Sequence, residues 1–270
     1  MDVRSILVHL DVTPASLERH ALAHALAARF GAEVTVLFGV AEAAPPTFAY
    51  SAAAAWRAAE EMSEGPFDIA RARLHAAHSE RGGIWCDVGR DLGAALVAEA
   101  AYSDLLIVGP PAHSHDAGTA PSGFVELSIL QSGTPTLVVP HPHAQETLGD
   151  RVLIAWDGSV PAARAVRSAL PFLRSASQVH IASWSRQPVL APCSRLDLAE
   201  WLRRHDVPVT HHAHDSTAHV GGAICALARE LQADLIVMGC YGHGLLRERL
   251  FGGATRSVLA SLPAPVLTSH

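Results

Sequence analysis

The sequence predicts an α/β chain built from two tandem, doubly wound domains. Three observations carry that reading. Short apolar runs alternate with helix-period segments, the pattern of a parallel sheet covered on both faces. That pattern is written twice along the chain. The length, 270 residues, is long for one domain and ample for two, each with its own core.

The repeat opens with SILVHLDVTP at residues 5–14 and RVLIAWDGSVP at 151–161. Each is an apolar strand ending in an aspartate, Asp11 or Asp157. A hydroxyl follows two residues later (Thr13, Ser159), then a proline. A hydroxyl can cap a helix and proline suits its first turn, so helices are expected over 14–30, stopped by Gly31, and over 160–173. The repeat closes with SDLLIVG at 103–109 against ADLIVMG at 233–239, and TPTLVV at 134–139 against APVLTS at 264–269. The two copies are 146 residues apart at their start (Asp11, Asp157) and 130 apart at their end (Gly109, Gly239). The first therefore carries 16 extra residues in its middle. The segment AAPPTFAYSAAAAWRAAEEM after its second strand is a helical excursion that could hold them. Domains of about 1–141 and 150–270 follow. Expected strands are 6–10, 34–38, 84–86, 105–108 and 136–139, then 152–155, 179–183, 207–212, 235–238 and 266–268. Helices are also expected over 196–204, 220–231 and 254–262.

Composition excludes several functions. The net charge is −6, so no nucleic-acid or anionic-membrane surface is expected. All 20 basic residues are arginine, which removes a P-loop lysine and lysine-based covalent catalysis. Cys86, Cys193, Cys225 and Cys240 show no metal-pair spacing and suit reduced thiols. No signal-peptide pattern opens the chain and no apolar run is long enough to span a membrane. A cytoplasmic setting is expected.

The glycines of GCYGHGLLRERLFGGATRSV at 239–258 point to a site. In a doubly wound sheet ligands sit beyond the C-terminal strand ends, where strand order reverses. Gly239 ends one strand and Asp157 ends another. The loop then reaches Gly252 and a helix start, whose free N–H groups favour an anion. Gly242, Gly252 and Gly253 would let phosphate oxygens reach the backbone, and Thr255 would add a hydroxyl for phosphate or a metal ion.

The spacing Gly239-x2-Gly242-x9-Gly252 resembles the nucleotide-binding signature of the universal stress protein family, G-x2-G-x9-G-[S/T]. The opening strand with its aspartate, the ADLIVMG strand and the closing P-V-L strand resemble the family too, in both halves. The resemblance implies five parallel strands per domain in the order 3-2-1-4-5, and adenine nucleotide, usually ATP, at the strand ends. Mg2+ is a candidate accompaniment. By position, Asp157 should lie near adenine and ribose and Trp184 should border the base. Gly239 and Gly242 should follow the ribose and phosphates, and Gly252, Gly253, Ala254 and Thr255 should hold the phosphates. Gly253 departs from the pattern, since a Ser or Thr is usual there. The family's habit of pairing through last strands implies an internal pseudo-dimer of 136–139 with 266–268, with a homodimer of chains as a further level.

In the first copy Gly242 becomes Ala112, Gly252 becomes Ser122 and Thr255 becomes Val125. Pro110 and Pro111 remove two N–H donors. One nucleotide site per chain is therefore expected, in the second half, with the first half a structural or regulatory partner. Arg247, Arg249 and Arg256 are weaker phosphate candidates than the glycines. Among the 17 histidines, His212 and His214 of HHAHD share a strand face, but a metal site usually needs three or four ligands, so no metal site is assigned there. HSHD at 113–116 and HPH at 141–143 are read the same way. Cys240 is a small loop residue with a redox role as the sharper alternative. Enzyme motifs are absent, and Glu248 is the nearest carboxylate for even a slow ATPase. The expected function is an ATP-binding stress-response protein that signals to an unidentified protein partner. The alternatives are a slow ATP hydrolase on the same scaffold and a nucleotide-free interaction scaffold.

Overall fold

The computed structural model describes residues 2–40, 52–88, 91–111, 120, 123–143, 147–184, 197–214, 219–240 and 253–270, with side chains from 67 onward in the long helix α2. Gly242, Arg247, Glu248, Arg249 and Gly252 of the second loop lie outside them, as do Ala112, Ser122 and the HSHD segment of the first.

The first half runs β1 (Ser5–Leu10), α1 (Ala15–Phe30), β2 (Glu33–Phe38), α2 (Ala52–Arg81), β3 (Ile84–Asp87), α3 (Leu92–Ala100), β4 (Leu105–Val108), α4 (Phe124–Gln131) and β5 (Thr136–Val138). The second runs β6 (Arg151–Ala155), α5 (Val160–Leu173), β7 (Gln178–Ser183), α6 (Leu198–Arg203), β8 (Thr210–Ala213), α7 (Val220–Glu230), β9 (Leu235–Gly239), α8 (Ala254–Ser261) and β10 (Val266–Ser269). The strands form one sheet ordered β3-β2-β1-β4-β5-β10-β9-β6-β7-β8. Each half thus has the expected 3-2-1-4-5 order, with parallel pairing inside it.

The halves join where β5 and β10 pair antiparallel, with Val138 opposite Val266, Leu137 opposite Leu267 and Thr136 opposite Thr268. Leu137 and Leu267 are equivalent in the repeat, so this ladder is self-complementary about that pair, as in an isologous dimer interface. Both leucines are fully buried. Phe30 of α1 and Phe172 of α5 meet edge to face, ring centroids 5.0 Å apart. One apolar layer, containing Ile6, Val8, Leu26, Val152, Ile154 and Val166, runs beneath both halves.

Local chemistry accounts for most boundaries. Gly31 ends α1 in the left-handed conformation (φ 69°) and its N–H bonds the Ala27 carbonyl. Ser159 caps α5 by accepting the Ala162 N–H. Thr13 does not do the same for α1: its hydroxyl donates to Asp11, and Pro14 begins the helix without a side-chain cap. The extra residues of the first half lie in the excursion through α2, 30 residues long against six in α6. β8 starts three residues later than the sequence suggests. Asp206 takes a left-handed turn (φ 62°) and Val207 N–H bonds back to Leu202 O, closing α6 before the strand can begin.

Candidate functional site

β6 and β9 are neighbours, but the helices that follow them leave toward opposite faces. α5 packs in the layer with Val152 and Ile154, whereas α8 packs with Leu153, Ile236 and Met238. This is the reversal point at which open α/β sheets leave a crevice.

The described residues of the predicted site border that point. Asp157 is exposed two residues beyond β6, with Oδ1 accepting the Ser159 N–H at 2.9 Å. Trp184 follows β7 directly and stacks on His214, centroids 5.3 Å apart and planes 12° apart. Gly239 is the last residue of β9. Gly253 is the N-cap of α8 and, having no side chain, gives it no side-chain cap, so the N-cap residue itself leaves the dipole of this helix start unanswered. Ala254 packs at the edge of the same apolar cluster as Trp184. Thr255 is buried, at 2% exposure.

Gly239 has a structural reason of its own. A Cβ there would lie 2.7 Å from the Pro161 carbonyl carbon and 2.9 Å from Ala162 Cα, closer still to Ala162 N. These are backbone atoms of the first turn of α5. The approach of that helix to the strand end demands glycine, whatever else the residue does.

The equivalent crevice of the first half is filled by its own side chains. Arg19, His9 and Phe124 stand where the repeat has Ala165, Ala155 and Ala254. Arg19 is 2% exposed. It lies 3.2 Å from Asp11 Oδ1, donates from Nη2 to Ser16 Oγ at 2.9 Å, and donates from Nε to the His9 carbonyl at 3.2 Å. Its Nη1 would be 2.7 Å from a Cβ on Gly109, the counterpart of Gly239. Asp11 also accepts from Thr13 N–H, from the Thr13 hydroxyl and from Ser16 Oγ. Burial alone would raise its carboxyl, but Arg19, His9 and these donors hold it below the usual range. His9 Nε2 lies 2.9 Å from Gly39 O, and its ring is 4.6 Å from that of Phe124. Burial lowers His9 to about 4, so it is neutral at pH 7. Val125 is buried in the same region. The first aspartate is thus committed internally, whereas the second is exposed.

Other candidates fall away from the crevice. Cys240 is fully buried, with Thr268 Oγ1 donating to its sulfur, and this does not suit a reactive thiol. Arg256 is exposed on α8. His141 and His143 hold Glu18 of α1, through the His141 ring at 3.1 Å and the His143 N–H at 2.7 Å. His212 pairs with His180 of β7 at 3.0 Å rather than meeting His214 over a metal.

Residues 149–270 match the model of the universal stress protein family. This part of the chain belongs to the universal stress protein family. A universal stress protein of Synechocystis sp. is 50% identical over 44 residues, which are 16% of this chain and 28% of that protein. The fold of the whole chain is similar to that of a universal stress protein from Archaeoglobus fulgidus, with a TM-score of 0.71 at 20% identity over 98% of this chain and 96% of that one. A putative universal stress protein from Pseudomonas aeruginosa gives 0.58 at 18% identity, over 98% and 92%. The whole-chain likeness extends the fold to both halves. No helix among the described residues is long and apolar enough to cross a membrane.

Proposed function

We propose that the chain is a nucleotide-binding stress-response protein with one adenine-nucleotide site, in its second domain (150–270). The observation that carries this reading is the contrast between the two crevices. The first domain (1–141) fills its own with Arg19, His9 and Phe124. The second has alanine at all three positions and keeps the glycine spacing Gly239-x2-Gly242-x9-Gly252. In this reading the start of α8, at Gly253 and Ala254, faces the phosphates of ATP with backbone N–H groups. Gly242 and Gly252 admit the phosphates, Trp184 borders the base and Asp157 meets the ribose side. When bound, Mg2+ would screen the phosphate charge, with the Thr255 hydroxyl as its protein neighbour. Nucleotide occupancy would change the surface offered to a protein partner, a gate rather than a turnover cycle.

The test is to purify the chain, denature it, and identify any released nucleotide by chromatography and mass spectrometry, then to titrate the emptied protein with ATP. About one equivalent of adenine nucleotide, lost in Gly252→Asp, supports the reading. Neither retained nor added nucleotide binding would leave a ligand-free interaction scaffold. Steady ATP consumption lost on changing Gly242 or Gly252 would make the chain a hydrolase instead.

A further inference from the structure

We propose that His20, His24 and His78 form a binding site for a divalent transition-metal ion of the zinc class, between α1 and α2. His20 Nε2 and His24 Nε2 each lie 3.3 Å from His78 Nδ1, and one nitrogen from each ring falls within 4.8 Å of the others. A zinc ion about 2.0–2.1 Å from two nitrogens in tetrahedral geometry sets them about 3.3–3.4 Å apart. Both close pairs therefore already have the spacing that a shared ion requires.

Hydrogen bonding alone does not explain the arrangement. His78 Nδ1 carries either one hydrogen or one lone pair, yet it faces two imidazole nitrogens at the same distance. One lone pair accepts from one partner only, and one hydrogen split between two acceptors makes two weak bonds. Three lone pairs directed at a cation remove the conflict. The opposite nitrogen of His78, Nε2, is buried without a well-formed hydrogen bond. It lies beside Gly83, where an added Cβ would come within 3.0 Å of it. With Nδ1 facing the other two rings, Nε2 is the nitrogen that carries the hydrogen when Nδ1 offers its lone pair to a metal.

The repeat supplies a comparison. His20 and His24 correspond to Val166 and Leu170, both buried in the second half. Packing at these positions is met there by aliphatic side chains, so the imidazoles are not required by the fold. Arg81 is exposed, so solvent screens its charge from a bound cation. His24 is only partly buried and gives the ion a route in. Three protein ligands leave a fourth position for water or another small donor.

The test uses the full chain, freed of metal with a chelator and titrated with Zn2+ in competition with a chromophoric chelator. The wild type is expected to bind one Zn2+ tightly, to melt at higher temperature with Zn2+, and to give a tetrahedral Co2+ spectrum. His24→Gln should weaken binding by at least about 100-fold, since loss of even a ligand's supporting partner costs 10–100-fold. His20→Val/His24→Leu, which copies the other half, guards against misfolding and should abolish all three signals while the metal-free protein still melts cooperatively. His212→Gln should retain them. Equal Zn2+ affinity in the wild type and the double variant would overturn the proposal and leave the trio as an uncharged packing cluster. Loss of the tight site in His212→Gln would overturn it by moving the site to β7 and β8.

Discussion

Replacing Arg19 by alanine tests the idea that the first crevice is closed by a buried ion pair. Arg19 is 2% exposed and Asp11 6%, so little solvent screens the charge left behind. Breaking a buried pair from one side typically costs about 3–5 kcal/mol. Asp11 keeps its bonds from Thr13 and Ser16, which places the expected loss near the lower bound, about 3 kcal/mol. At a urea slope of about 3 kcal/mol per molar, the unfolding midpoint should fall by about 1 M. The companion variant Asp11→Asn/Arg19→Met removes both charges and fills the arginine's volume. It should stay within about 1 kcal/mol of wild type, because a buried pair replaced by uncharged groups of similar size is often near neutral. Urea unfolding followed by circular dichroism measures both. A loss below about 1 kcal/mol in Arg19→Ala would show that the pair does not hold this crevice. An equal loss in the double variant would show that packing, not charge, was removed.

Gly239→Ala should destabilise the chain by about 3 kcal/mol or more, because the new Cβ meets fixed backbone of α5. At Gly109→Ala the nearest atoms belong to the Arg19 side chain rather than to backbone, so the change should cost less; the reverse ranking in thermal melts would mean that the α5 contact is slack. Acid sensitivity should trace in part to His9, whose folded value is about 4 against an ordinary 6.5. The unfolded chain binds the extra proton, so stability from neutral His9 is full above pH 6.5 and is lost as pH falls toward 4. Asp11, held low, adds stability that is lost only at still lower pH. Between pH 7.5 and 5 the wild type should lose about 2 kcal/mol more than His9→Leu in urea unfolding, and parallel pH profiles would exclude this role.

The two halves were legible because the strand periods, the terminal aspartates and the ADLIVMG-type strands recur at fixed offsets. The pairing of β5 with β10 was implied by the resemblance to the universal stress protein family, not by the repeat itself. Local turn chemistry was less legible. Val207 fits a strand by composition, yet it is fully buried as the chain closes α6. Thr13 and Ser159 occupy the same repeat position but do different work: Thr13 donates to Asp11, which Arg19 also meets, whereas Ser159 accepts the Ala162 N–H. The filling of the first crevice was written in the sequence but not in its glycine loop. It appears when the 146-residue offset is carried through β1 and α1, setting His9 and Arg19 against alanines. The histidine trio joins an i, i+4 pair on α1 to a residue 54 positions beyond His24. Only its helical half, His20 and His24, was visible as spacing. HHAHD drew attention because its histidines are close in sequence, but the His212 ring reaches diagonally to His180 on the neighbouring strand.

The most direct test of the central claim transfers the filling of the first crevice to the second. Isothermal titration with ATP would be run on wild type, on Ala254→Phe, and on Ala155→His/Ala254→Phe. One equivalent bound by the wild type, and none by the filled variants while they melt cooperatively, is the predicted result. Two equivalents in the wild type, or unchanged binding in the filled variants, would contradict a single site in the second half.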